Sequence, residues 1–195
     1  MKKVDARGMD CPKPVIKTKK IMDQGASEII VIVDNDTASK NISLLAKKKG
    51  YNIVEEKRED GIYLKLKGLG QPSSEKEDSS EKETGEWVLL MASDQMGEGS
   101  DELGEILIKG YFYALTETKP LPKAVLFLNG GIRLALEGSP VMKSLEEMSE
   151  QGVEMLVCGT CLDYFGEKEN IGIGLVSNMY DIVEKMNESN KVVRV

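Results

Sequence analysis

Apolar and polar positions fall into short, well-separated blocks whose periodicity changes along the chain. In the first 68 residues KKVDAR reads as a strand, and Val15, Ile16, Lys19 and Met22 repeat as an amphipathic helix over about 12–24, ended by Gly25. SEIIVIVDN is a buried strand, and a second helix covers about 38–49, closed by Gly50. The strands YNIVEEKRE and GIYLKLKG flank an Asp60-Gly61 turn, which is a hairpin signal. The order βαβαββ predicts a two-layer α/β sandwich with both helices on one face.

A second pattern begins with EWVLLMAS, apolar enough for a parallel strand covered on both sides. A helix over 101–117 follows, then strand KAVLFLN, a helix near 139–151, strand VEMLVC, a short helix after Cys161, strand IGIGLV, a helix over 178–189 and strand KVVRV. Regular alternation of β and α predicts a doubly wound parallel sheet, with its chemistry at the carboxyl ends of the strands. Residues 69–85, rich in Ser, Glu and Lys, bury too little apolar surface to offset the entropy of ordering them. They are expected to be a flexible acidic linker between domains at 1–68 and 86–195.

Charge divides at the same place. The net charge of −7 separates into +5 before the linker, −3 within it and −9 after it. A weakly basic domain tethered to an acidic one favours docking of the two, because a short linker raises their effective concentration; acidic surface also serves solubility alone. No apolar run spans a bilayer and no hydrophobic segment follows the N-terminal lysines, so a soluble cytoplasmic protein is expected. In that reducing setting three cysteines point to reactive thiols rather than a disulfide framework. The 195 residues include no histidine, which excludes imidazole-activated nucleophiles and His metal sites.

Cys11 stands in Cys11-Pro12-Lys13-Pro14, between a strand and a helix. Proline suits a first helical turn, so Cys11 is expected at or just before the N-cap, where free N–H groups and the helix dipole favour a thiolate. Lys13, Lys17, Lys19 and Lys20 add positive potential, and Asp10 offsets part of it. A buried, inert cysteine is the alternative.

Cys158-Gly159-Thr160-Cys161 directly follows an apolar strand, placing Cys158 at its end and Cys161 one turn later. The spacing, with Gly159 between, permits a disulfide, and redox or sulfur-transfer chemistry is favoured over packing cysteines. Zinc needs about four ligands and this pair supplies two, so no metal is expected. GEGSDELG lacks the third glycine of a dinucleotide loop and carries Glu98, Asp101 and Glu102, so no nucleotide or other cofactor is expected; Ser100 reads as an N-cap instead. Asn129-Gly130-Gly131 is expected to be a flexible loop on the same edge, lining the pocket around Cys158 or simply turning the chain. Met142, Met148, Met179, Trp87 and Tyr111–Tyr113 read as core, and Lys47–Lys49 as a solvated helix end.

Arg7-Gly8-Met9-Asp10-Cys11-Pro12-Lys13-Pro14-Val15, with the lysine-rich helix and strand after it, resembles the TusA/SirA-like sulfur carriers and their R-G-x-x-C-P-x-P signature. The resemblance covers essentially residues 1–68. It implies that Cys11 carries a persulfide sulfur between partner proteins, with Arg7, Gly8, Pro12 and Pro14 as supporting motif residues. LVCGTCLDYFG, with GEGSDELG before it and SNMYDIVE after it, resembles DsrE-like domains of sulfur-relay systems, which usually form homo-oligomers. The two together look like the YedF-type fusion associated with selenium metabolism. The implied function is a sulfur or selenium carrier, sulfurtransferase-like, in which Cys11 works with Cys158 and Cys161 and meets donor and acceptor proteins rather than membranes or nucleic acid. A dithiol redox or sensing protein and a non-catalytic partner-binding module remain the alternatives.

Overall fold

The structure, a computed structural model, describes residues 1–10, 12–68 and 85–195. Its contacts divide the chain into two compact units, Met1–Asp78 and Ser79–Val195. The segment expected to be a linker, 69–85, lies outside the described residues except for Gly85.

The first unit contains β1 (Lys2–Asp5), α1 (Lys13–Asp23), β2 (Glu28–Val33), α2 (Asp36–Lys48), β3 (Tyr51–Arg58) and β4 (Gly61–Gly68), in the expected βαβαββ order. The sheet order is β1-β2-β4-β3, with β1 parallel to β2 and the other pairs antiparallel. Side chains alternate across a strand. Ile29, Val31 and Val33 of β2 and Ile62, Leu64 and Leu66 of β4 therefore share one face, where they pack with Met22, Ile42 and Ala46 of the helices. The opposite face carries Lys3, Asp5, Tyr63 and Lys65 in register around Ile30 and Ile32.

Three local expectations shift. The buried stripe of α1 is Pro14, Thr18 and Met22, while Lys19 is exposed and paired with Asp23 at 3.0 Å. Thr18 tolerates burial because its hydroxyl donates to the Pro14 carbonyl at 2.8 Å. Helix α2 starts at Asp36 rather than 38, since the Asn35 side chain accepts the Ala38 N–H at 2.8 Å and caps it. The hairpin loop is Glu59-Asp60, one residue earlier than expected, because Arg58 pairs with Gly61. Of the lysines at the end of α2, Lys49 reaches Asp23 at 3.0 Å and ties the two helices together.

The second unit contains β5 (Trp87–Met91), α3 (Asp101–Thr116), β6 (Ala124–Phe127), a 3₁₀ helix (Asn129–Ala135), α4 (Met142–Glu150), β7 (Glu154–Cys158), α5 (Gly159–Phe165), a 3₁₀ turn (Lys168–Asn170), β8 (Leu175–Ser177), α6 (Met179–Asn187) and β9 (Lys191–Arg194). All pairings in its sheet are parallel, in the order β8-β7-β6-β5-β9. Right-handed crossovers that step steadily in one direction place their helices on one face, and the return step places its helix on the other. Accordingly Ile108 and Phe112 of α3, Leu145 and Met148 of α4 and Leu162 of α5 share one core, and Ile182 of α6 packs on the opposite face with Val88, Leu126, Leu156 and Cys158. The doubly wound expectation holds, with unequal layers.

Ser100 caps α3 as expected, its hydroxyl oxygen accepting the Leu103 N–H at 3.3 Å. The strand expected over 171–176 is confined to Leu175–Ser177, because Ile171 bridges to Leu136 and the N–H groups of Gly172 and Ile173 both donate to the Ala135 carbonyl. Helix α5 begins at Gly159 and so includes Cys161 rather than following it. Met148 is buried and Met142 half-buried, but Met179 is 53% exposed, since α6 turns Ile182 to the sheet instead.

Candidate functional site

The N-terminal motif is anchored by backbone and guanidinium contacts that the signature alone does not name. Arg7 follows β1 and grips Asp5 through both carboxylate oxygens, Nε to Oδ1 at 3.0 Å and Nη2 to Oδ2 at 2.6 Å. Its Nη1 donates to Oδ2 of Asp60 at 3.1 Å and to the Asp60 carbonyl at 3.2 Å, joining the motif to the β3–β4 loop. Tyr63 donates its hydroxyl to the same Asp60 carboxylate at 2.7 Å, and Arg58 stacks 4.2 Å above the Tyr63 ring. Gly8 has φ +68° and donates its N–H to Asp34 at 2.5 Å, at the end of β2. Pro12 is the N-cap residue of α1 and Pro14 lies in its first turn, as the proline pattern implied. A hollow of about 40 Å³ lies beside the motif, lined by Met9, Pro14, Val15, Asn35 and Ala38. Cys11 itself lies outside the described residues.

This network is sensitive to acid. The Arg7 hydrogen bonds lower the Asp5 carboxyl to about 2, and Arg58 with Lys65 lowers Glu56 to about 2. The Gly8 N–H lowers Asp34, and the Tyr63 hydroxyl lowers Asp60. In the unfolded chain such groups titrate near 4. For Asp5 and Glu56 the contribution is therefore complete above about pH 5 and is lost as the pH falls through about 2, and Asp34 and Asp60 act in the same direction. The pairs are exposed, so the expected loss is modest. It is measured as a fall in the urea midpoint of the β2 and β4 amide signals by NMR between about pH 5 and about pH 2.5.

The second cluster assembles at the carboxyl edge of the parallel sheet. Cys158 ends β7, an internal strand beside the central β6, and is 1% exposed. Cys161, one turn into α5, is only partly buried, and both thiols are free. The run after β6 is not a flexible loop: Asn129–Ala135 form a 3₁₀ helix whose Gly131 and Ile132 are buried. Asn129 adopts φ +48° and donates its backbone N–H to the Cys161 sulfur at 3.2 Å. Partial burial and the neighbouring Cys158 thiol push the Cys161 thiol up, and the Asn129 N–H opposes them. Arg133 of the same 3₁₀ helix pairs with Asp94 at 3.3 Å and lies 4.9 Å from the centre of the Phe165 ring on α5. A Cβ on Gly159 would stand 3.1 Å from Val176 and 3.2 Å from the Ser177 carbonyl, so glycine lets α5 start against β8. Among the described residues no three Cys, Asp or Glu side chains converge as metal ligands, and no helix is long and apolar enough to cross a membrane.

Asp34, Asp60 and Asp94 were not singled out as site residues by sequence, whereas Asn129 was expected as part of a loop lining the pocket around Cys158 but not as the donor to Cys161. The Asn-Gly pair after a strand was a turn signal, but the partners of the aspartates depend on strand pairing.

Together these features define a two-domain thiol protein: a small α/β sandwich with an Arg-Gly loop leading to a helix start, and a parallel α/β domain presenting a CxxC pair at its strand ends. A family model described as sulfurtransferase TusA matches residues 2–67, and one described as the DsrE/DsrF-like family matches residues 112–195. The chain belongs to the TusA sulfurtransferase family through its first unit, with a DsrE-like domain joined behind it, and this arrangement fits the YedF-type fusion. A protein of Archaeoglobus fulgidus named "Putative sulfur carrier protein" is 43% identical over 65 residues, 32% of this chain and 84% of that one. A crystal structure of a SirA-like protein from Desulfitobacterium hafniense is 34% identical with TM-score 0.32, covering 34% of this chain and 96% of that one. The ychN protein of E. coli is 17% identical with TM-score 0.40, covering 55% of this chain and 97% of that one.

Proposed function

We propose that the protein is a chalcogen carrier of the sulfurtransferase type, in which Cys11 accepts a sulfane sulfur, or selenium in the same form, and relays it to the Cys158–Cys161 pair. The observation that carries this reading is the free, partly accessible thiol of a CxxC pair at the strand ends of the second unit, in a chain whose first unit belongs to a sulfurtransferase family. In the loading step the Cys11 thiolate attacks the outer sulfur of a donor persulfide. The donor S–S bond breaks, its electron pair leaves with the donor thiolate, and a new S–S bond forms at Cys11. Thiolate exchange of this kind needs neither imidazole nor metal.

Donor and acceptor proteins are the partners, in the cytoplasm. Self-association through the second unit belongs to the same reading, and exposed Leu175, Val176, Tyr180 and Val183 around the edge strand β8 support it. The test is incubation with a cysteine-persulfide donor, and separately with its selenium analogue, followed by peptide mapping by mass spectrometry. The expected result is one added chalcogen on Cys11 and its loss in Cys11→Ser. Unmodified Cys11, with Cys11→Ser behaving as wild type, would overturn the reading. Two free thiols three residues apart at a strand end favour one second reading, a dithiol redox protein, for which the reduction potential of Cys158–Cys161 would be unchanged by Cys11→Ser.

A further inference from the structure

We infer that the two thiols of the second unit have fixed and unequal roles, Cys161 receiving the chalcogen and Cys158 resolving it, with the Asn129 backbone amide positioning the receiving sulfur. This rests on the relay proposed above and adds an order to it. In many CxxC pairs the first cysteine is the exposed one; here the order is inverted by the fold. Cys158 is the last residue of an internal strand, 1% exposed, and packs with Leu126, Leu156 and Ile182 under α6. A persulfide borne by a protein cannot approach a sulfur in that position. Cys161 stands one turn further along α5, is partly exposed, and touches the packing on both faces of the sheet. Its sulfur already holds a donor, the Asn129 N–H at 3.2 Å. That amide points at Cys161 because Asn129 has φ +48°, a left-handed conformation that asparagine and glycine tolerate and β-branched residues do not.

The chemistry closes without another oxidant. The Cys161 thiolate attacks the outer sulfur of the incoming persulfide; that S–S bond breaks and the carrier leaves as a thiolate. Cys158 then attacks the Cys161 sulfur, forming the Cys158–Cys161 disulfide and expelling hydrosulfide, or hydroselenide from a selenium adduct. The two cysteine sulfurs are oxidised, the sulfane sulfur is reduced, and a dithiol reductant restores the pair. Burial and the Cys158 contact push the Cys161 thiol above its ordinary range. Its thiolate is thus a smaller fraction at neutral pH but a stronger nucleophile. Capture should accelerate as the pH rises, about tenfold per unit until the thiol has titrated.

The test loads the full chain with glutathione persulfide and maps each cysteine. Wild type should release one hydrosulfide for each Cys158–Cys161 disulfide formed. Cys158→Ser, and Cys158→Ala as the variant that buries no hydroxyl, should retain a persulfide on Cys161 and release none. Cys161→Ser should leave Cys158 unmodified. A persulfide on Cys158 in Cys161→Ser overturns the assignment of roles while the relay stands. Loading of Cys11 alone in every variant overturns this inference and the second half of the relay. Loading of no cysteine overturns both readings completely. For the positioning residue, the readout is the pH midpoint of Cys161 alkylation by iodoacetamide. Asn129→Val should raise that midpoint, with rates falling about tenfold per unit at fixed pH, and Asn129→Gly should leave it unchanged. Equal midpoints in all three proteins would remove Asn129 from the site.

Discussion

Replacing Gly131 with alanine should destabilise the second unit by about 3 kcal/mol, at the upper end of what overpacking a core position costs. An alanine Cβ there would stand 2.1 Å from the Met91 carbonyl oxygen and 2.6 Å from its carbon. Those atoms are main chain at the end of β5, where the same carbonyl accepts the Leu128 N–H at 2.9 Å, so neither side can move by a rotamer change. Relief requires lifting the 3₁₀ helix off the strand end, and that helix carries Asn129 against Cys161. The expected result is an earlier urea transition in Trp87 fluorescence, which reports the second unit because Trp87 is the chain's single tryptophan. Faster trapping of Cys158 by thiol reagents should accompany it. A variant with an unchanged transition would mean that the close approach to Met91 contributes nothing to stability.

The second large effect is expected at Gly61→Ala, about 2 to 3 kcal/mol in the first unit, from backbone strain and overpacking together. Gly61 has φ +147°, and a Cβ on it would lie 2.7 Å from the Val33 carbonyl oxygen and 3.4 Å from the Arg7 side chain. The glycine therefore lets β4 lie close to the end of β2 just where Arg7 bonds Asp60. Substitution should part the β3–β4 loop from Arg7 and leave the Gly8 contact with Asp34 less constrained. Amide exchange of Arg7–Asp10 and of β4 should accelerate while that of β5–β7 stays unchanged. Acceleration spread equally over both units would contradict this account.

The two glycines also show what a linear pattern conceals. Gly61 reads as half of a turn because Asp-Gly is a turn signal, yet it occupies the first strand residue, held there by a neighbour some thirty positions earlier. Gly131 reads as part of a flexible loop because Asn-Gly-Gly is, but the loop packs as a buried 3₁₀ helix against the end of β5. Likewise, hydrophobic periodicity placed Lys19 on the buried face of α1, where a threonine satisfied by the Pro14 carbonyl lies instead. These shifts arise from tertiary close approaches or from local hydrogen bonds that apolar spacing does not encode.

The class of each half was legible in the chain itself, since periodicity, apolar runs and turn residues are local properties and set βαβαββ followed by alternating β and α. So was the chemistry offered: three thiols, no imidazole, and a proline-flanked cysteine before a helix. Tertiary structure decided which thiol of the CxxC pair is accessible, because burial of Cys158 follows from β7 being internal and covered by α6. It also decided which aspartates hold Arg7 and Gly8 and which amide meets Cys161, since those partners are brought together by strand pairing and crossover across up to 53 positions of sequence.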